Sequence, residues 1–130
     1  LGDSLMNDTP GMGGFVYKEL YESQEGEMIE YFNGQFYDSF SFDAYNQAIK
    51  NGYPSEKVVI GMVSSQFTQE TFGNALEEVR KIKEKYKNFG GVFNWEYFDS
   101  PPDKKHPETW ASEMNKVLCN DSYKNLCWIQ

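Results

Sequence analysis

Two short apolar runs in this chain stop at residues able to hydrogen-bond or stack. One ends in Gln35-Phe36-Tyr37-Asp38. The other runs Phe89-Gly90-Gly91-Val92-Phe93-Asn94-Trp95-Glu96-Tyr97-Phe98 and is halted by Asp99-Ser100-Pro101-Pro102. Strand alternation puts Gln35 and Tyr37 on one face, and Asp38 opens the following loop. A tryptophan at a strand end is either a platform for a sugar ring or a core plug, and the sequence leaves both open. The bland alternatives for the others are a Tyr37 hydroxyl with a structural partner and an Asp38 that bonds a backbone N–H in its turn. Glu96 and Asp99 invite a reading as paired hydrolytic carboxylates. With Trp95 inward, however, alternation turns Glu96 to the outer side, which argues against an acid and nucleophile pair.

The whole chain bounds what these residues serve. Its 130 residues suffice for one compact domain and fall short of two. A net charge of -8 argues against nucleic acid and against an anionic membrane surface, since both need Lys and Arg to displace counterions. A neutral or cationic ligand fits better. No run approaches the roughly 18 apolar residues of a membrane span. The start Leu1-Gly2-Asp3-Ser4 has neither an initiator Met nor a signal peptide, which suggests a chain trimmed at its N-terminus.

The two cysteines, Cys119 and Cys127, follow the last helical pattern. They read first as a disulfide closing a short tail, with reduced thiols or an isolated metal half-site as alternatives. With only His106 to add, zinc lacks ligands, so no metal is expected. Gly11-Met12-Gly13-Gly14 does not follow a strand and open a helix, so no nucleotide cofactor is expected either. Asn7-Asp8-Thr9 and Asn120-Asp121-Ser122 match the N-glycosylation pattern. Together with a disulfide they point to a secreted protein, or one of the secretory pathway, vacuole or cell wall.

The elements that must position these groups follow in chain order. Residues 1–14, with three Gly-containing turns and Pro10, read as a loop. Phe15 to Glu30 reads as one short helix interrupted at Gly26. Met28 to Tyr37 reads as a strand with Asn33, Gln35 and Tyr37 on its wet side and Phe32 and Phe36 on the other. Phe42, Tyr45 and Ile49 recur at helical spacing, and Asn51-Gly52 closes that helix as a left-handed cap. The nearly unbroken apolar run Lys57 to Val63 suits a parallel strand covered on both faces. Thr68 is an expected N-cap for a helix to Lys87 with Phe72, Leu76, Val79, Ile82 and Tyr86 inward. After the Trp95 strand, Pro107 opens a helix whose apolar face is Trp110, Met114, Val117 and Leu118. Repeated strand–helix units predict an α/β fold with a parallel sheet, open or part of a barrel, with its site at the strands' carboxyl ends.

The succession Gln35-Phe36-Tyr37-Asp38, Lys57-Val58-Val59-Ile60-Gly61-Met62 and Gly90-Gly91-Val92-Phe93-Asn94-Trp95 resembles the sixth, seventh and eighth strands of family 18 glycoside hydrolases, the chitinases and their relatives. The likeness spans nearly the whole chain, and the opening segment resembles the stretch after that family's fifth strand. Gln-Phe-Tyr-Asp combines two forms known in the family, Gln-x-Tyr-Asn and Met-x-Tyr-Asp, which leaves the subgroup open.

The resemblance implies that residues 1–130 are a single partial domain, the C-terminal part (strands 6 to 8 with their helices) of a (β/α)8 TIM barrel. Such barrels take about 250 residues. The family's acid lies on its fourth strand in an Asp-x-x-Asp-x-Asp-x-Glu string, which occurs nowhere in the 130 residues. The implied partners are therefore the rest of the barrel and an N-acetylglucosamine polysaccharide or glycan. The implied chemistry is retaining hydrolysis assisted by the substrate's own acetamido oxygen. By the same carry-over, Tyr37 holds that acetamido group, Gln35 and Asp38 bond sugar or neighbouring polar groups, and Trp95 floors the central subsite. Two other functions stay in view: a glycan-binding lectin of the same fold that has lost the acid, and an α/β interaction domain whose aromatics, 17% of residues, are core only.

Overall fold

The structure, a computed structural model, describes residues 2–119. Helices α1 (Gly2–Asn7) and α2 (Tyr17–Glu22) precede strand β1 (Phe32–Gln35). Then follow α3 (Phe42–Lys50), β2 (Val58–Val63), α4 (Phe72–Lys85), β3 (Gly91–Trp95) and α5 (Glu108–Leu118). The strands form one sheet in the order β1-β2-β3, both pairings parallel, so each helix between strands is a crossover.

The register fixes the two faces. Gln35 lies opposite Gly61, Gly61 opposite Phe93, and Val63 opposite Trp95. Alternation then gathers Asn33, Gln35, Val59, Gly61, Phe93 and Trp95 on one face. Phe32, Ile60, Met62 and Val92 turn to the other, where the helices cover them and all are buried. β1 accordingly alternates between buried and exposed residues, whereas the central β2 is buried from Val58 to Met62. On the open face the Phe93 ring lies across β2, and a methyl at residue 61 would overlap that ring and come within 2.7 Å of the Gly34 carbonyl oxygen, which disfavours any side chain there.

The helix layer is held by apolar burial. Ile60, Met62, Val79, Ile82 and Met114 are fully enclosed. Each contributes roughly 1.5–3 kcal/mol relative to exposure. The buried Trp110 ring directs its N–H at the Met62 sulfur, 3.2 Å away, which fastens α5 beneath β2. Helix α3 starts where the Ser41 hydroxyl accepts the Ala44 N–H at 3.1 Å. It ends as the sequence predicts, with Gly52 at φ +115 and its N–H on the Ile49 carbonyl.

Several boundaries differ from the sequence reading. Residues 1–14 are not all loop, because α1 occupies Gly2–Asn7, with Leu5 fully buried. The Asn51 amide donates to the Leu5 carbonyl at 2.9 Å and to Asp8 Oδ1 at 2.7 Å, so this short helix is fixed by tertiary contacts. The expected first strand is shorter, since Met28 ends a 3-10 turn (Gln24–Met28) and Tyr37 lies in the turn beyond β1. Helix α4 begins at Phe72 rather than after Thr68, because Thr68 and Thr71 satisfy each other's backbone N–H groups in a preceding turn. The last strand ends at Trp95, and Tyr97–Asp99 forms a 3-10 turn.

Candidate functional site at the carboxyl ends of the strands

Parallel strands end together, and here the ends of β1 and β3 flank that of β2. Two inter-strand spacings separate the outer pair by about 10 Å. Beyond β1 the chain reverses through Phe36–Ser39, with the Ser39 N–H on the Phe36 carbonyl at 3.1 Å. Asp38 occupies the left-handed region at φ +62, which Asp tolerates better than most side chains. Tyr37 is half-buried, and burial pushes its phenol above the ordinary value of 10.0. Its hydroxyl therefore stays protonated through neutral pH and can donate a hydrogen bond. Gln35 is exposed on the open face of the sheet.

Asp38 is not bonded within its own turn. Its N–H donates to Gln66 Oε1 at 3.0 Å, and Gln66 Nε2 donates back to Asp38 Oδ1. Sequence reasoning missed Gln66. The available signal was its place in Ser64–Gln66, a 3-10 turn directly after β2 and hence at the same edge as Asp38.

At the end of β3, Trp95 is 60% exposed among the described residues. It borders a cleft of about 110 Å³ lined also by Val63, Ser64, Ser65, Glu96 and Asp99. Beneath the cleft Asn94, on the helix side, joins two buried serines. Ser64 Oγ lies 3.0 Å from Asn94 Oδ1 and 2.8 Å from the Glu96 carbonyl, and Asn94 Nδ2 donates to Ser100 Oγ at 2.8 Å. This network fixes the chain on both sides of Trp95, whose peptide bond to Glu96 is cis. The carboxylates do not form a free pair, because Asp99 is bound by Lys104. Tyr97 and Phe98 are 66% and 67% exposed.

Gln35, Tyr37, Asp38 and Trp95 thus occupy one end of one sheet. Asn7 lies elsewhere, exposed at the end of α1, where its Oδ1 accepts the Thr9 N–H at 3.2 Å. Cys119 follows α5, and its expected partner Cys127 lies outside the described residues, as does Asn120. Among the described residues no cluster of three or more His, Cys, Asp or Glu could hold a metal, and no helix is long and apolar enough to cross a membrane.

A three-stranded parallel sheet with helices on one face has the form of part of a (β/α) barrel. Comparison with solved structures gives the family. The structure of a fungal endo-beta-N-acetylglucosaminidase from glycosyl hydrolase family 18 matches 91% of this chain at a TM-score of 0.78 and 26% identity. Chitinase ChiC from Aspergillus fumigatus matches 88% of it at a TM-score of 0.62 and 30% identity. The chain spans 44% of the length of each. No family model and no curated protein matches. These likenesses identify the chain as a partial, chitinase-like member of glycoside hydrolase family 18.

Proposed function

We propose that residues 1–130 are strands six to eight, with their helices, of a family 18 catalytic barrel. The complete protein then cleaves β-1,4-linked N-acetylglucosamine polymers or glycans by substrate-assisted, retaining hydrolysis. The observation that carries this reading is the exposed Trp95 face beside a cleft, at the sheet end that also bears the protonated Tyr37 hydroxyl. Trp95 stacks on the apolar face of the sugar, and Tyr37 donates to the acetamido carbonyl as its oxygen attacks the anomeric carbon. Gln35 and Asp38 bind sugar hydroxyls or neighbouring polar groups.

The proton donor belongs to the family's fourth strand, whose Asp-x-x-Asp-x-Asp-x-Glu string these residues lack. Among the described residues β1 and β3 each have one unpaired edge, which the rest of the barrel would cover. A disulfide between Cys119 and Cys127, glycans on Asn7 and Asn120, and a secreted, cell-wall or vacuolar protein belong to the same proposal. So does the second reading, a glycan-binding lectin of this fold, which differs from the first only in whether the fourth strand of the complete protein carries the acid.

Incubating the complete protein with chitin oligomers and following the anomer released tests the reading. Release of the β-anomer is expected. In addition, Trp95→Ala should weaken oligomer binding about tenfold, the loss of one good stacking contact. Binding without release would select the lectin. Unaltered binding by Trp95→Ala would remove Trp95 from the site.

A further inference from the structure

The two-point contact between Asp38 and Gln66 joins the turn after β1 to the turn after β2, across 28 residues of sequence. We propose that Gln66 is a positioning residue of the sugar site, holding the Asp38 turn so that the Tyr37 hydroxyl stays on the substrate's acetamido group. The inference rests on the function proposed above and assigns a task to a residue that the strand motifs do not contain.

The argument begins with the turn. Its closing hydrogen bond uses the Ser39 N–H and the Phe36 carbonyl, which leaves the Asp38 N–H without a partner inside the turn. Asp38 also adopts a positive φ, a conformation that a single weak hydrogen bond holds poorly. Gln66 supplies both missing restraints. Its carbonyl oxygen accepts that N–H, and its amide nitrogen grips one carboxylate oxygen of the same residue. Oδ2 of Asp38 is left for a sugar hydroxyl.

Tyr37 is the neighbouring residue of the same turn, so any rocking of Asp38 swings the phenol. Displacements of about 1 Å at a reacting group can lower a rate as much as 100-fold. Both Asp38 and Gln66 are exposed, so removing the clamp opens no cavity and buries no orphaned group. The effect should therefore fall on turnover and leave stability alone.

The test is a double-mutant cycle in the complete protein, read as kcat and KM on a chitin oligomer. Gln66→Met keeps the length of the side chain and deletes both hydrogen bonds. We expect it to lower kcat about tenfold with KM and Tm little changed, as for an interaction that matters in the transition state. Combined with Tyr37→Phe, the same substitution should lower kcat by less than about twofold, because the hydroxyl that it positions is gone. Gln66→Glu keeps an acceptor for the Asp38 N–H but sets a second carboxylate against Asp38, and should lie well below the unsubstituted protein.

An equal loss in both backgrounds would overturn the proposal, as would unchanged kcat in Gln66→Met or a loss that follows Tm. These results leave the functional reading standing if Tyr37→Phe alone is severely impaired. If the unsubstituted protein turns nothing over, or Tyr37→Phe is fully active, that reading fails and this inference fails with it.

Discussion

At the amino end of the sheet two tyrosines, Tyr45 and Tyr53, are only 0% and 1% exposed; at the carboxyl end Tyr37 is half-buried and Trp95 is 60% exposed. The Tyr45 hydroxyl donates to the Ser55 and Val58 carbonyls at 2.9 and 3.0 Å, and its ring meets Phe89 edge-on. Tyr53 packs edge-on against Phe32 with ring centroids 5.1 Å apart. These contacts fasten helix and loop to the start of β2 and leave neither tyrosine reaching out. The carboxyl end keeps its aromatic surface in solvent and spends its hydrogen bonds, from Gln66 to Asp38 and from Ser64 to Asn94 and Glu96, on orienting that surface. In barrels of this kind stability gathers at one end and chemistry at the other.

The same substitution, tyrosine to phenylalanine, separates the two ends. The largest effect is expected at Tyr37. In the proposed mechanism its hydroxyl donates to the acetamido group while charge develops there, and loss of such a donor lowers kcat about 100- to 1,000-fold. KM and the unfolding free energy should change little, since Tyr37 is only half-buried. Steady-state kinetics beside urea unfolding checks this. A protein as active as the original would break the functional side of the comparison.

Tyr45→Phe should do the reverse. It removes a buried donor from two backbone carbonyls, a loss of about 1–3 kcal/mol in unfolding free energy, with kcat intact. There is also a pH signature. Burial first, together with the nearby Tyr86 and Glu56, pushes the Tyr45 phenol well above 10.0 in the folded chain, against one hydrogen bond that lowers it. A folded-state pKa raised above the unfolded one gives stability that is complete below pH 10 and declines as the pH climbs beyond it. Urea midpoints from pH 8 upward should show that decline in the original protein and less of it in Tyr45→Phe. Equal slopes would remove the burial argument.

The sequence carried the sheet because its signals were local. The apolar run from Val58 to Met62 needs cover on both faces and has it, and alternation alone put Gln35 on the wet side of β1 and Phe32 on the dry one. Gly52 announced the end of α3 through its need for a positive φ. What escaped depends on contacts between distant residues. Helix α1 has one large buried side chain, Leu5, in a stretch of Gly, Asp, Asn and Ser, and it is fixed by Asn51, some 46 positions away. Asp38, which might have bonded its own turn, bonds Gln66 instead, and no spacing rule links them. The Ser64–Asn94–Ser100 network beneath Trp95 joins β3 to the turns after β2 and β3, and its Ser64–Asn94 link spans 30 positions that only the parallel register brings together.

Tyr53 sharpens the comparison with the smallest expected change. Its ring is wedged against Phe32 and 6.0 Å from that of Tyr21, and its hydroxyl, buried like that of Tyr45, has no hydrogen-bond partner among the described residues. An unpaired buried phenol gives back none of the hydration it loses on folding, so deleting it restores part of that loss while the ring contacts remain. Tyr53→Phe should therefore unfold with a free energy unchanged or raised by up to about 1 kcal/mol, in contrast to the loss at Tyr45. Burial first, then the nearby carboxylates Asp8 and Glu22, pushes the Tyr53 phenol up to about 12. The unfolded chain ionises near 10.0 and the folded one only near that higher value, so this tyrosine lowers stability as the pH rises from about 10 to 12. Tyr53→Phe should remove that share of the alkaline decline, and a fall of more than about 1 kcal/mol at neutral pH would instead mean that the hydroxyl is bonded and that the amino end is satisfied throughout.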